Sequence, residues 1–273
     1  KEYKKIDYKS SSFFSLKEVQ KKTSKKFQII TALSVFYDLE KPNKFLADIK
    51  NLLDNDGIFV LEFADLVSIL KKKMFDTICH EHLEYYSSKI IIEMCIRHKL
   101  RVIDIFRNNI NGSSKQFIIC HQKSRYKINN KKINNVLHEE KKMKITSKKT
   151  IIRFFKQVND IKIRLLKLVR QIKSKNQSIH GYGASTKGNV LLQYFGIGNK
   201  LIDYIAERNP KKYNLYTPGT KIKIISEKNS RDKKPDFYLV LPWHFRKEIL
   251  KREKKIRSKG TKFIFPLPKL KVI

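Results

Sequence analysis

Residues Phe27-Gln-Ile-Ile-Thr-Ala-Leu33 form an apolar run of strand length. A run with so little alternation reads as a strand buried on both faces, the situation of a parallel sheet. A loop over residues 34–41 follows its carboxyl end. Pro42 then opens a helix, where a missing N–H costs nothing. Phe45, Leu46, Ile49, Leu52 and Leu53 fall on one face of that helix. Asn55-Asp-Gly57 stops it and turns the chain into a second strand over residues 58–63. A strand, a loop, a helix, a turn and a strand make a crossover of the α/β type. The same alternation returns after residue 176, so the expected fold class is α/β in both halves.

Between these halves the pattern is mixed. Residues 87–100 read as a helix, with Ile90, Ile91, Met94 and the Ile96/Leu100 region packing inward. Residues 101–107 and 116–120 read as strands, and the Phe13-Phe14 pair as a short strand or its end. Asn111-Gly-Ser-Ser114 is a turn whose glycine is free to take positive φ; a plain hairpin turn and a substrate contact both fit it. Residues 123–150 are polar and Lys/Asn-rich, a linker or a partly helical surface segment. From 150 to 175 the apolar positions 151, 154, 155, 158, 161, 165, 168, 169 and 172 predict one long amphipathic helix. Beyond it lie strands at 201–206, 237–241 and 262–265, a type II turn at Thr217-Pro-Gly-Thr220, and a basic helix over 245–257.

At 273 residues the chain suits one large or two smaller domains, and 41% apolar residues are enough for a real core. Lys and Arg outnumber Asp and Glu 61 to 25, a net charge of +36. That surplus raises nucleic acid, an anionic membrane or an acidic substrate as partners. The lysines are scattered through every segment, and no helix-turn-helix, zinc-finger or RNP-like signature accompanies them, which argues against nucleic acid. A phosphate-bearing substrate still gains from the positive field. Cys79, Cys95 and Cys120 form no CxxC pair, which fits a reducing cytoplasm. No apolar run reaches the roughly 18 residues of a membrane span, and no signal-peptide hydrophobic region is found.

Two stretches concentrate reactive side chains. The first is Phe75-Asp-Thr-Ile-Cys-His-Glu-His-Leu-Glu-Tyr-Tyr86. On an extended segment His80 and His82 point to one side and Glu81 to the other. A metal site, a structural loop with satisfied histidines and an acid–base site compete for this run. It lacks the spacing of the His-Glu-x-x-His zinc helix, so no metal is expected. The acid–base reading gains because histidine titrates nearest neutrality. In parallel sheets ligands collect outside the carboxyl ends of strands. Tyr37-Asp38 follow the first strand, Glu62 and Asp65 end the second, and Asp38 and His82 are therefore expected to meet at one site.

The second stretch is His180-Gly-Tyr-Gly-Ala-Ser-Thr-Lys-Gly-Asn-Val-Leu-Leu-Gln193, a short strand, a Gly-x-Gly turn and a helix starting near Ala184. Gly181 and Gly183 let backbone approach a ligand, and the helix N-terminus offers free N–H groups to phosphate. Ser185, Thr186 and Lys187 add donors. This is neither a P-loop nor a full GxGxxG, whose third glycine would fall at Thr186. Contact with a phosphate or nucleotide-sugar and a plain tight turn both fit. Trp243 and His244 stand at another strand end, either bordering the cleft or capping the core.

Taken together these stretches, with Ile30-Thr-Ala-Leu33, Tyr37-Asp-Leu-Glu40 and Leu239-Val-Leu-Pro-Trp-His-Phe245, resemble the S-adenosylmethionine-dependent sugar C-methyltransferases. Those enzymes methylate ring carbons of nucleotide-linked keto-hexoses. The resemblance runs the length of the chain. It implies an incomplete class I methyltransferase sheet, Rossmann-like, at 1–122, a linker and long helix at 123–175, and a second Rossmann-like domain at 176–273. It implies S-adenosylmethionine as cofactor, with Tyr37 near it, and a nucleotide-diphosphate sugar as partner. His82 matches the family's base, Glu81 would orient or tune it, and Asp38 falls at a second polar active-site position. His80, Asn111, Gly181, Gly183, Ser185, Thr186 and Lys187 would contact substrate, with Lys187 and the loop gripping the diphosphate. Gln28, Ser113 and Glu207 depart from the family pattern, and no cysteine-rich zinc module or cofactor-binding glycine loop is found. The chain is thus expected to be a fragment or a decaying enzyme. The alternative is a non-catalytic nucleotide-sugar-binding remnant.

Overall fold

The computed structural model describes residues 14–273, so the Phe13-Phe14 pair lies half outside the described residues; Phe14 itself is in coil. In chain order the elements are α1 (Leu16–Gln20), β1 (Phe27–Leu33), α2 (Pro42–Leu52), β2 (Leu53–Phe63), α3 (Leu66–Lys72), α4 (Ser88–Arg97), β3 (Leu100–Asn108) and β4 (Ser114–His121). Two helices follow, α5 (Asn130–Met143) and α6 (Lys148–Ser174), then β5 (Ile179–Tyr182), α7 (Thr186–Phe195), β6 (Tyr204–Glu207), β7 (Ile224–Ser226) and α8 (Glu227–Asp232). The chain closes with β8 (Phe237–Val240), α9 (Arg246–Arg252), α10 (Lys254–Arg257), β9 (Lys262–Phe265) and β10 (Lys271–Val272).

These elements divide into two compact units. The first holds described residues up to Phe63, together with Tyr86–Asn108 and Lys115–Glu139. The second holds Ala64–Tyr85, Asn109–Ser114 and Glu140–Ile273. This is a different cut from the linear one at residues 122 and 175, because two excursions, 64–85 and 109–114, pack with the C-terminal part.

In the first unit the strand order is β1-β2-β4-β3. β1 and β2 are parallel, as the crossover requires, and β4 runs antiparallel to β2. Pro42 stands in the first turn of α2, and Leu46, Ile49 and Leu52 are its buried apolar face. The expected turn at Asn55-Asp-Gly57 is instead part of β2. Pairing slips there from Phe27↔Leu53 to Ile29↔Ile58, so β2 bulges. Gly57 permits it, since a Cβ would meet the Phe27 carbonyl oxygen at 2.7 Å. A second correction concerns β1. It was expected to be buried on both faces, yet Ile29 is 69% and Leu33 54% exposed, and only Ala32 is buried. Phe27, Ile29, Thr31 and Leu33 share one face of the strand and are all exposed, whereas Ile30 and Ala32 on the other face turn toward the core, so only one face of β1 is covered. In α4, Ile91, Met94 and Cys95 face inward, whereas Ile90 and Ile96 are exposed. An aromatic core of Phe36, Phe59, Phe63, Tyr86 and Phe117 fills the unit, with Phe63 stacked on Phe117 at 5.4 Å.

The second unit carries a six-stranded sheet ordered β10-β9-β8-β5-β6-β7. All its neighbours are parallel except β10 with β9. The chain leaves β5 for β6 and β7 on one side, then returns to the other side of β5 for β8. Such a reversal leaves a crevice outside the carboxyl ends of β5 and β8. The long helix α6 buries Phe154, Val158, Ile161, Leu165, Val169 and Ile172, one face at helical spacing. The expected helix over 245–257 is broken into α9 and α10 at Glu253, which turns inward. The strand β7 and helix α8 had no expectation: three and six residues are too short for periodicity to register.

His180 belongs to this core. Its Nδ1 lies 2.8 Å from Ser230 Oγ, which lies 2.8 Å from Tyr238 OH, and Tyr204 packs edge-on against the ring. Burial pushes its pKa down to about 4. A histidine lowered in the fold adds stability that is complete above its unfolded value and is lost as pH falls through the folded one. His180→Asn keeps an acceptor for Ser230 but cannot titrate. Urea midpoints should therefore fall less in His180→Asn than in the parent between about pH 6.5 and about pH 4. Parallel losses in the two proteins would show that His180 is not the titrating group.

Candidate functional site

In the first unit, Tyr37 and Asp38 lie on a short 3-10 turn, Phe36–Asp38, directly after β1. Tyr37 packs against the aromatic core, and Asp38 is exposed. Glu62, at the end of β2, is buried and accepts from Asn108 Nδ2 at 2.9 Å and Gln116 Nε2 at 3.0 Å. Asp38 belongs to this unit and His82 to the other, so neither unit by itself brings the two together.

In the second unit the segment after α3 is held by its apolar residues. Phe75 stacks on Phe195 of α7 at 4.8 Å, and Met74 is fully buried. Beyond it the chain makes a turn in which the His82 N–H donates to the Cys79 carbonyl at 3.1 Å. The run is thus bent where an extended segment was expected, and strict alternation of His80, Glu81 and His82 is lost. His80 and Glu81 are exposed; His82 is half-buried. Among the described residues no group of three or more His, Cys, Asp or Glu is placed to hold a metal ion, and no helix is long and apolar enough to cross a membrane.

The glycine loop after β5 has the expected local structure. Gly183 has φ +86, and Ser185 caps α7 by accepting from the Gly188 N–H at 3.1 Å. Gly181 lies inside β5, where a Cβ would meet Ile205 Cδ1 at 2.3 Å, so its space is taken by packing. Thr186 is exposed at the start of the helix. Glu207, at the end of β6, holds the loop: one carboxylate oxygen accepts from the Ala184 N–H at 2.7 Å, the other from the N–H groups of Arg208 and Asn209. An internal anion thus already occupies one of the loop's donors. The crevice outside β5 and β8 is a cavity of about 440 Å³, bordered by Gly183, Ser185, Glu207, Arg208, Lys212 and Arg252.

Lys187 was expected beside the loop at a phosphate. Its ammonium instead donates to the Asn111 carbonyl at 3.1 Å. It also faces Asp76 and Cys79, whose charges favour its protonated form against a larger burial effect that lowers its pKa. One residue further along the helix than Thr186, Lys187 is turned about 100° around the axis, which carries it away from the loop. Asp76 is buried and accepts from Trp243 Nε1 at 2.8 Å. Burial pushes its carboxyl up to about 6, opposed by Lys187 and by the Trp243 hydrogen bond. Sequence reading gave Asp76 no role. The available signal was an acid placed directly after the apolar pair Met74-Phe75.

A family model for the C-methyltransferase C-terminal domain matches residues 109–268, more than half of the chain. The chain belongs to this family. The C-methyltransferase NovU of Streptomyces niveus is 29% identical over 246 residues, which cover 90% of the chain but 58% of that protein. The chain therefore spans somewhat over half the length of that relative. Solved structures similar to part of the chain include a pericyclic reaction enzyme (10% identical, 36% of the chain and 27% of that enzyme, TM-score 0.30). Another is PKMT2 from Rickettsia typhi (13% identical, 41% of the chain and 39% of that protein, TM-score 0.29).

Proposed function

We propose that this C-methyltransferase family member acts in the methylation of a ring carbon beside the ketone of a nucleotide-diphosphate-linked sugar. The observation carrying this reading is that the half-buried His82, on its Cys79–His82 turn, belongs to the same unit as the glycine loop and its crevice. The proposed base and the proposed place for a phosphate-bearing substrate thus belong to one compact unit. Arg208 and Lys212 at the crevice supply positive charge, and the N-terminus of α7 adds the partial charge of a helix end. A carbon next to a ketone is acidified by it, and His82 would take that proton. Within the second unit, His80 and Asn111 would contact the sugar and Glu81 would orient or tune His82; within the first, Tyr37 would contact the cofactor and Asp38 would serve as a second polar active-site residue.

S-adenosylmethionine, when bound, supplies the electrophilic methyl group. The described residues of the first unit do not by themselves fit it. Among them Gly57 is the one glycine, and it is closed against Phe27, so no glycine turn lets backbone approach a ligand there. A second reading is a nucleotide-sugar-binding protein without catalysis, for which the crevice of the second unit alone suffices. Calorimetry on the 273-residue chain addresses both. A nucleotide-diphosphate-linked keto-hexose should bind in the micromolar range, and S-adenosylmethionine more weakly than about 1 mM. Tight stoichiometric binding of S-adenosylmethionine would show that another stretch makes the cradle. Failure to bind the sugar nucleotide would defeat both readings.

A further inference from the structure

Three separate stretches of the second unit meet around buried polar groups that the proposed chemistry leaves unused. They are the segment at Asp76-Thr77, the turn at Asn111-Gly112, and Trp243-His244 after β8. Asp76 is 1% exposed; its Oδ2 accepts from Trp243 Nε1, while its Oδ1 is buried without a partner. Thr77 Oγ1 and His244 Nδ1 are also buried without partners. The Asn111 turn is pressed onto the same place. Gly112 has φ +99, and a Cβ there would come within 3.3 Å of the Trp243 ring and 3.0 Å of Met74. Lys187 reaches in from the first turn of α7 and donates to the Asn111 carbonyl, and Lys72 donates to the Gly112 carbonyl at 2.6 Å.

We propose that Lys187 is a positioning residue: with Asp76 and Trp243 it clasps the base-bearing segment and the Asn111 turn onto the C-terminal sheet. The half-buried Lys187 ammonium favours the ionised form of the buried Asp76 carboxylate. Each is hydrogen-bonded to an element far away in sequence, Lys187 to the Asn111 turn and Asp76 to Trp243, so the two side chains tie those elements to one another. The clasp closes three residues before Cys79, where the His82 turn begins. The titratable group acting on Asp76 is Lys187 on α7, which in turn feels Cys79 and acts on His244 beside Trp243. Burial, and then Lys187, push the His244 pKa down to about 4. The catalytic role of the segment rests on the function proposed above, whereas the clasp is measured without substrate or cofactor, so the two fail separately.

Trp243 is the chain's single tryptophan, and its indole N–H touches the Asp76 carboxylate, so its fluorescence reports that group. In the full 273-residue chain, emission should change with a midpoint at about pH 6. Asp76→Asn should abolish this transition. Lys187→Met should move the midpoint up by about one pH unit or more, since an opposite charge nearby has been lost. Lys187→Arg should restore the parent midpoint. Amide hydrogen exchange in residues 75–82 and 109–113 should rise together, about tenfold, in Lys187→Met and return in Lys187→Arg, with α6 and β5 unchanged. Should Lys187→Met not fold, Asp76→Asn removes the nearby negative charge that favours protonated Lys187 and should loosen the same two segments. The proposal is overturned by a parent without the transition, by a midpoint indifferent to Lys187, or by loosening of one segment without the other.

Discussion

Glu253→Ala is expected to lower the unfolding free energy by about 3 kcal/mol at neutral pH, because it leaves the buried Tyr182 hydroxyl and the half-buried Arg231 guanidinium without their acceptor. Glu253 breaks the α9–α10 helix and is 2% exposed. It accepts from Tyr182 OH at 2.7 Å and from Arg231 through Nε at 2.8 Å and a terminal nitrogen at 2.5 Å. Arg252 donates to Tyr182 OH at 2.6 Å and to Glu227 at 3.0 Å, and Arg231 also reaches Glu227 at 2.7 Å. Glu227 remains for both arginines in the variant, which keeps the loss near the low end of the range for a broken buried pair. Glu253→Gln keeps the shape and one acceptor and should lose less. Burial opposes ionisation of Glu253, but the hydrogen bonds from Arg231 and Tyr182 outweigh it and hold its pKa below the ordinary value. A lowered carboxylate contributes stability that is present above the unfolded pKa of about 4.5 and is lost as pH falls through the folded one. Urea denaturation of parent and Glu253→Ala should therefore differ most near neutrality and converge in acid. A difference under about 1 kcal/mol at neutral pH would show that the cluster is an exposed ion-pair network of little weight.

The α/β character of both halves was legible because it rests on local signals. Pro42 at a helix start, the helical spacing of 154, 158, 161, 165, 169 and 172, and a strand meeting Gly183 each declare themselves within a few residues. What was not legible depends on partners distant in sequence. The run at Ile29 and Leu33 looks like a two-sided interior strand, and nothing local says that only one face of β1 is covered. Asp76 and Trp243 are 167 positions apart, so the hydrogen bond that gives each its place is invisible to spacing. The same holds for Lys187. Its type and position beside a Gly-x-Gly turn predict a phosphate ligand, but the helix phase and the Asn111 carbonyl send it elsewhere. Glu207 shows how one side chain changes a motif: an acid at the end of the neighbouring strand takes a donor that the glycine loop alone would have offered outward.

His82→Ala is expected to slow proton removal from the sugar by a factor of about 10²–10⁴, the usual worth of general-base catalysis. The argument starts from the turn. His82 donates its N–H to the Cys79 carbonyl and keeps its ring half-buried, whereas His80 and Glu81 are exposed on the same turn. A half-buried ring is better protected from competing water than an exposed one, and its segment is anchored by Phe75 against Phe195. His80→Ala should therefore cost much less, and Glu81→Gln should matter only through the orientation of its neighbour. The step is best isolated by exchange of the ring-carbon hydrogen of a nucleotide-diphosphate-linked keto-hexose with deuterated solvent, without cofactor. That reading separates enolate formation from methyl transfer, and so does not depend on S-adenosylmethionine. Affinity for the sugar nucleotide should stay nearly unchanged in His82→Ala, because a base acts on the transition state more than on the bound substrate. Exchange as fast as in the parent, or greater damage in His80→Ala, would move the base away from His82.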